Sequence, residues 1–362
     1  MGSPDAVALP TYLLIVCLVV LSVTAVALIA TIVLARVARL RRDRHHRRLE
    51  TPLRPLVLSL AAGEADEGEV RRLLALRGTE REVIDESLVE LLSKVRGEPA
   101  AQIAGVLEAH GHHERALHQL GALQPSVRAR AAWTLGLMRR GDARDALVAR
   151  LRDHSPAVAL TAARSLGLLG DPAAAVPLLD ALRGRTPAVP AWTVTEALTA
   201  LGHGAAGTLG AALGDEDPNV RAAAAKTVAL TPHFGLADPV RHQLPGEADP
   251  IVSVELIRAL GVVGRATDVP VLLAFSQEEQ VTVRRAAAGA LGEIGVAAAR
   301  SRLEVMLGDS DPQVAEDAAV ALLAAGPRGR EALQAAQAQG GAGARAADLV
   351  LRGRLPVLEV SA

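Results

Sequence analysis

Residues 215–228 read DEDPNVRAAAAKTV, and their order of residue types spells a helix start. Asp217 stands directly before Pro218. A short acceptor side chain is suited to the N-cap, where it satisfies a free backbone N–H of the first turn, and proline is suited to the first helical position, where no N–H is needed. An alanine-rich run without a breaker follows Val220, as a helix interior requires.

The pattern recurs along the chain. A Val a few residues after an acidic or proline-containing turn, followed by a run of small residues, stands at Val127 (QPSVRARAAWTLG), Val158 (SPAVALTAARSLG), Val189 (TPAVPAWTVTEAL), Val252 (DPIVSVELIRALG), Val283 (QVTVRRAAAGALG) and Val314 (DPQVAEDAAVALL). With Val220 included, successive anchors lie 31, 31, 31, 32, 31 and 31 residues apart. A fixed period in this range is the signature of a solenoid. Asp249 and Asp311 repeat the Asp-Pro start. Four, five and eight residues beyond each anchor the side chains are small or aliphatic, as at Ala131, Ala132 and Leu135, or Leu256, Ile257 and Leu260. These offsets share one helical face, which is expected to be buried.

A second, shorter apolar helix is predicted between successive anchors, as in DPAAAVPLLDALRG from Asp171, and Gly170, Gly264 and Gly295 are expected to close the preceding helix. The unit is helix, turn, helix, and one such hairpin buries its apolar faces only against its neighbours. The stretch TPHFGLADPVRHQLPGEADP, around Phe234, has an extra residue and several breakers, and is expected to kink the array.

The Asp-Pro, Val-Arg, Ala-Ala and Leu-Gly succession in DPNVRAAAAKTV and VTVRRAAAGALGEIG resembles the HEAT repeat family, in particular the short subtype named after phycobilisome lyases. The resemblance is strong over residues 120–326. It implies an all-α fold, a right-handed α-α superhelix of the HEAT/armadillo-like solenoid kind. Weaker helices of the same character place the start of the solenoid near residue 65.

Upstream, residues 12–37 run YLLIVCLVVLSVTAVALIATIVLARV, with Arg36 the only charge. About 20 apolar residues cross a bilayer as a helix, and the segment before the run lacks the basic start of a signal peptide. Arg36, Arg39, Arg41, Arg42, Arg44, Arg47 and Arg48 crowd its C-terminal side. By the positive-inside rule the N-terminus lies outside and the solenoid in the cytoplasm, anchored to the inner membrane. The expected organisation is an external 1–10, a single N-terminal transmembrane helix over 11–38, a basic juxtamembrane linker over 39–64, the solenoid over 65–326, and a helical cap and tail over 327–362. Arg41, Arg42, Arg44, Arg47 and Arg48 are the candidate lipid-facing residues, and an anionic-lipid sensor working through them is one alternative function.

Composition narrows the chemistry. Half the residues are hydrophobic but about 1% are aromatic, so the core is Ala, Leu and Val. The net charge of −1 argues against nucleic acid as a partner. Cys17, the one cysteine, lies in the apolar run, which excludes a disulfide framework and Cys-ligated zinc or iron–sulfur clusters. The excess of Arg over Lys, with abundant Ala and Gly, suggests a bacterial source.

HEAT-type hydroxylases use several His-Glu pairs as iron ligands. This chain has one, His113-Glu114, read as part of a solvated loop. No Walker loop, Gly-x-Ser-x-Gly or dinucleotide fingerprint occurs. The expectation is no enzyme, no cofactor and no metal. A lyase-type or ligand-handling HEAT protein is the second alternative, although the apolar run and the scarcity of aromatics suit it poorly.

If the anchor-bearing helices line the inner surface, three and six residues beyond each anchor the side chains point into the groove. Arg130, Trp133, Arg164, Trp192, Lys226 and Arg258 stand there and are the candidate partner-binding residues, with Trp133, Arg164 and Trp192 at the centre. Trp and Arg are enriched where interfaces concentrate binding energy. Arg128, Arg221 and Arg284, directly after anchors, are expected instead to pair with acidic turn residues of the adjacent repeat. The expected function is a membrane-anchored scaffold or adaptor for a cytosolic protein or a membrane enzyme. The resemblance adds accessory roles in membrane glycosyltransferase or envelope-polymer systems.

Overall fold

The side chains of Asp217, Asp249 and Asp311 each accept a hydrogen bond from the backbone N–H two residues on, at Asn219, Ile251 and Gln313, and the proline after each opens a helix. These caps were legible in the sequence, and the array is built outward from them. The computed structural model describes residues 28–31, 33, 36, 51–184, 188–295 and 297–353. They fall into two compact units that divide between His112 and His113.

In the N-terminal unit, residues 51–62 form a helix (α1), followed by α2 (Glu67–Leu74), α3 (Gly78–Leu92) and α4 (Glu98–Ala109). The expected linker through residue 64 is therefore corrected at its C-terminal end: Val57 and Leu60 are buried, and Ser59 Oγ donates to Glu69 Oε2 at 2.8 Å. Asp66 and Glu69 cap α2 reciprocally. Leu73, Ile84, Leu88, Ile103 and Leu107 are fully buried.

The C-terminal unit continues through α5 (His112–Gln119, whose first residue belongs to the preceding unit), α6 (Pro125–Met138), α7 (Arg144–Arg150), α8 (Pro156–Leu169), α9 (Ala175–Asp180), α10 (Ala191–Leu201), α11 (Ala206–Ala212), α12 (Pro218–Leu230) and α13 (Ala237–Gln243). Then come α14 (Pro250–Val263), α15 (Val269–Phe275), α16 (Val281–Ile294), α17 (Ala297–Met306), α18 (Pro312–Ala324), α19 (Pro327–Gln339) and α20 (Ala342–Leu351). No strand occurs among the described residues. The long helices α6, α8, α10, α12, α14, α16 and α18 pack each on the next, with the short helices against them.

The predicted buried face is buried: Ala131, Ala132, Leu135, Ala162, Ala163, Leu166, Leu256, Ile257 and Leu260 are at most 1% exposed. At four of the Leu-Gly pairs the glycine is where neighbouring long helices touch. A Cβ at Gly136 would stand 2.6 Å from the Ser165 Cβ, at Gly167 2.7 Å from the Ala197 Cα, at Gly261 2.7 Å from the Ala290 Cα, and at Gly292 2.6 Å from the Ala321 Cβ. The repeat therefore specifies glycine for helix approach, since nothing larger than hydrogen fits between the backbones.

Helix ends differ from expectation in two places. Gly170 and Gly295 adopt the left-handed conformation at the ends of α8 and α16, but Gly264 is extended (φ −73°, ψ 174°), with no room for a Cβ against the Leu260 carbonyl. At the end of α6 the left-handed position is held by Arg139 (φ 52°). The anchor Val189 is buried yet precedes its helix, because Pro190 is the N-cap of α10. That helix lacks the first turn of its neighbours. The irregular stretch around Phe234 completes its repeat through α13, flanked by single 3-10 turns at Phe234–Leu236 and Leu244–Gly246.

Among the described residues no helix is long and apolar enough to cross a membrane. The expected transmembrane helix over 11–38 lies outside them except for 28–31, 33 and 36, which are helical and exposed. Arg41, Arg42, Arg44, Arg47 and Arg48 also lie outside the described residues.

Candidate functional site

Two kinds of polar group decorate the C-terminal unit, and separating them isolates the candidate site. The first kind clamps repeat to repeat. Arg128 donates through Nε and Nη2 to both carboxylate oxygens of Asp153 (2.9 and 2.6 Å) and through Nη1 to the carbonyls of Ala122 and Leu123. Arg221 does the same with Glu247 (2.7 and 2.8 Å) and the carbonyls of Asp215 and Glu216. Arg284 repeats it with Asp309 (2.9 Å twice) and the carbonyls of Glu278 and Glu279.

Each of these carboxylates also accepts a backbone N–H two residues on, at Ser155, Asp249 and Asp311. In the shortened repeat Pro190 replaces the arginine, and Arg183 reaches Asp215 instead, with two bonds of 2.7 Å. A planar guanidinium that binds both oxygens of a buried carboxylate is a rigid connector. The Arg128 hydrogen bond pulls the Asp153 carboxyl down to about 2, against burial. Arg183 and Arg284 likewise hold Asp215 and Asp309 low, whereas at Glu247 burial is the largest influence and works upward, and it takes the Arg221 bond and charge together with the backbone N–H groups of Asp249 and Ala248 to hold the carboxyl low.

The second kind occupies the exposed face of the long helices and takes no part in these clamps. Trp133, Arg164, Leu168, Glu196, Ala197 and Ala200 line a groove of about 360 Å³ across α6, α8 and α10. Arg164 lies over the Trp192 ring, 5.1 Å from its centroid, and its Nε is 3.2 Å from Glu196 Oε2. Trp192 is 51% exposed because the missing first turn of α10 leaves it at the helix start. Trp133, Arg164 and Trp192 are thus brought together.

Arg130 is exposed on α6, three residues before Trp133. Arg258 lines a second groove of about 750 Å³ across α14, α16 and α18, whose floor includes Val262, Ala286, Ala290 and Ala321. Arg258 pairs with Glu255 at 3.2 Å and Arg285 with Asp317 at 2.6 Å. Lys226 lines neither groove and stands on α12 between them, exposed.

One polar cluster was missed by sequence reasoning. In the N-terminal unit Asp85, 1% exposed, faces His110 Nδ1 at 2.5 Å and His112 Nε2 at 2.7 Å, while His110 Nε2 lies 3.1 Å from the Leu73 carbonyl. Burial alone would raise the Asp85 carboxyl, but the hydrogen bonds from His112 and His110 hold it below the usual range. An acidic residue on the apolar stripe of VIDESLVELL was the available signal.

His112 and His113 sit on α5, so the solvated-loop reading of His113-Glu114 is corrected. His113 is 5% exposed, its Nε2 3.1 Å from Asp142 Oδ1. Among the described residues no group of three or more His, Cys, Asp or Glu is placed to hold a metal ion.

The fold and its clamps define a HEAT-like α-solenoid. Residues 114–199 and 237–324 match the family model of HEAT repeats, so these two stretches carry HEAT-like repeats. No curated protein matches the chain in sequence. Among solved structures the chain is similar to the CpcE–CpcF complex of phycocyanin lyase from Nostoc sp. (22% identity, 66% of this chain and 94% of that one, TM-score 0.31). It is also similar to human deoxyhypusine hydroxylase in complex with glycerol (20%, 76% and 96%, 0.30) and to Escherichia coli YibA (19%, 72% and 97%, 0.38).

Proposed function

We propose that this protein is a noncatalytic scaffold that docks a protein partner, cytosolic or membrane-bound, on the exposed face of its long helices. The observation that carries the reading is the groove formed by Trp133, Arg164, Leu168 and Glu196, with Trp192 against Arg164. Aromatic and arginine side chains are gathered there over an alanine floor, in a chain with two tryptophans in all. Neither tryptophan is needed to fill the core, which is Ala, Leu and Val.

Half-exposed Trp beside Arg is the composition of an interface centre. The apolar run at 11–38 supports tethering of this face to a membrane, where local concentration lets a weak contact suffice.

Crosslinking in intact membranes, with partners identified by mass spectrometry, tests the reading. A specific partner captured by the wild type is expected to be lost from the double variant Trp133→Ala, Trp192→Ala with helicity unchanged. Retention of the same partners in that variant sinks the groove as the docking site.

A further inference from the structure

The exposed face has a finer order than its two grooves. Six residues beyond each anchor, with the one-residue shift of the α10 repeat, stand Arg164, Glu196, Lys226 and Arg258 on α8, α10, α12 and α14. One helical turn further on the same helices come Leu168, Ala200, Leu230 and Val262. The members of both rows named above on α8, α10 and α14 line one groove or the other. Leu230 is 56% exposed.

An apolar row therefore crosses the four helices beside a charged row. Within the charged row Arg164 is neutralised by Glu196 and Arg258 by Glu255. Among the described residues Lys226 has no ion-pair partner. The face thus presents one uncompensated positive charge at mid-track, next to its most exposed leucine.

The spacing of the rows sets what fits them. Packed helices stand about 8–10 Å apart, and the Gly167–Ala197 contact keeps α8 and α10 close. A polyproline II segment advances about 3.1 Å per residue and returns to the same face every third residue, about 9 Å on. That repeat matches the step from one long helix to the next. A β-strand returns to one face every second residue, about 7 Å on, and falls out of step within two or three helices.

We propose that the occupant of this face is an extended, polyproline-II-like segment of a protein partner, with an apolar residue at every third position and a carboxylate where it passes Lys226. The inference rests on the docking reading above and names the chemistry of the ligand.

The test uses the full chain in lipid nanodiscs and fluorescein-labelled twelve-residue proline-containing peptides, followed by anisotropy at low salt. One peptide has leucine at every third position and two central aspartates. A second carries lysines in place of the aspartates, and a third has the first composition with leucine at every second position. The aspartate peptide is expected to bind at least ten-fold tighter than either of the others. Lys226→Glu is expected to reverse the order of the two charge forms, and Leu230→Asp to weaken both ten-fold or more, with thermal melting unchanged for both exposed sites.

Equal affinity for the two charge forms, an unchanged order in Lys226→Glu, or equal binding of the every-second peptide overturns the proposal. So does a face that pairs two copies of this chain, in which case Leu230→Asp converts a dimer to a monomer and no peptide binds. If a crosslinked partner is lost from the tryptophan double variant while the peptides show no preference, the docking reading survives and this inference alone fails.

Discussion

Where an arginine clamp joins two repeats a single carboxylate holds it, and the titration of that carboxylate gives the sign of the acid response. Asp153 is almost fully buried, with its carboxyl lowered from 3.8 to about 2. A folded value below the unfolded one means that the stabilisation is fully present above the unfolded value and is lost as pH falls through the folded one. Between roughly pH 4 and 2 this joint should forfeit about 2 kcal/mol. Thermal melts of Asp153→Asn, compared with wild type across that range, should show a lower melting temperature at neutral pH and a shallower acid decline.

Arg139 offers a change of opposite sign. It holds a left-handed conformation where α8 and α16 end in glycine, which costs a residue with a Cβ about 1 kcal/mol. Arg139→Gly should raise the melting temperature by a few degrees, and an unchanged or lower value would show that the arginine side chain contributes more than its backbone loses. In the N-terminal unit, Asp85→Ala leaves His110 and His112 facing an emptied site. Amide exchange should quicken around Leu73, whose carbonyl is held by His110.

Helix α16 carries two glycines of opposite meaning. A Cβ at Gly292 collides with Ala321 on α18, whereas at Gly289 it meets open space. Gly292→Val should cost about 1–3 kcal/mol or more through overpacking. Gly289→Ala should stabilise by up to about 1 kcal/mol through helix propensity. Chemical denaturation of the two variants checks both signs at once.

The Leu-Gly signature was legible as a repeat, but which glycines serve contact and which serve helix ends was not, because contact depends on a residue one repeat away. The same limit hid the clamp on Asp215. Sequence placed an arginine after Val127, Val220 and Val283, and the substitute at Arg183 became visible only once α10 was seen to start late. N-caps and buried offsets were legible because both are decided within a single helix. For the candidate site, periodicity placed Trp133, Arg164 and Trp192 on one face, yet the stacking of Arg164 on Trp192 depends on the missing turn of α10, which Val189 in its regular 31-residue register concealed.

Across the C-terminal unit each repeat meets mainly its neighbours, so stability accumulates as a sum of local terms. Removing residues 327–353 uncovers α18, against which α19 and α20 pack. Hydrogen exchange in the truncated protein should therefore lose protection in α18 and α16 while α6 and α8 stay protected, and a uniform loss would show instead that the unit unfolds as one.

The clamps bear on how such a chain can change over time. Arg128, Arg221 and Arg284 each bind the carbonyls of their own turn and one carboxylate 25 or 26 residues ahead, so these three joints are built alike, while Ala159, Pro190, Ser253 and Ala315 hold the same place after the other anchors. A duplication of a unit that holds both partners of a clamp, such as Arg128 with Asp153, carries its own joint to the new junction. The molecule can thus lengthen its working surface by such a unit without inventing a new interface.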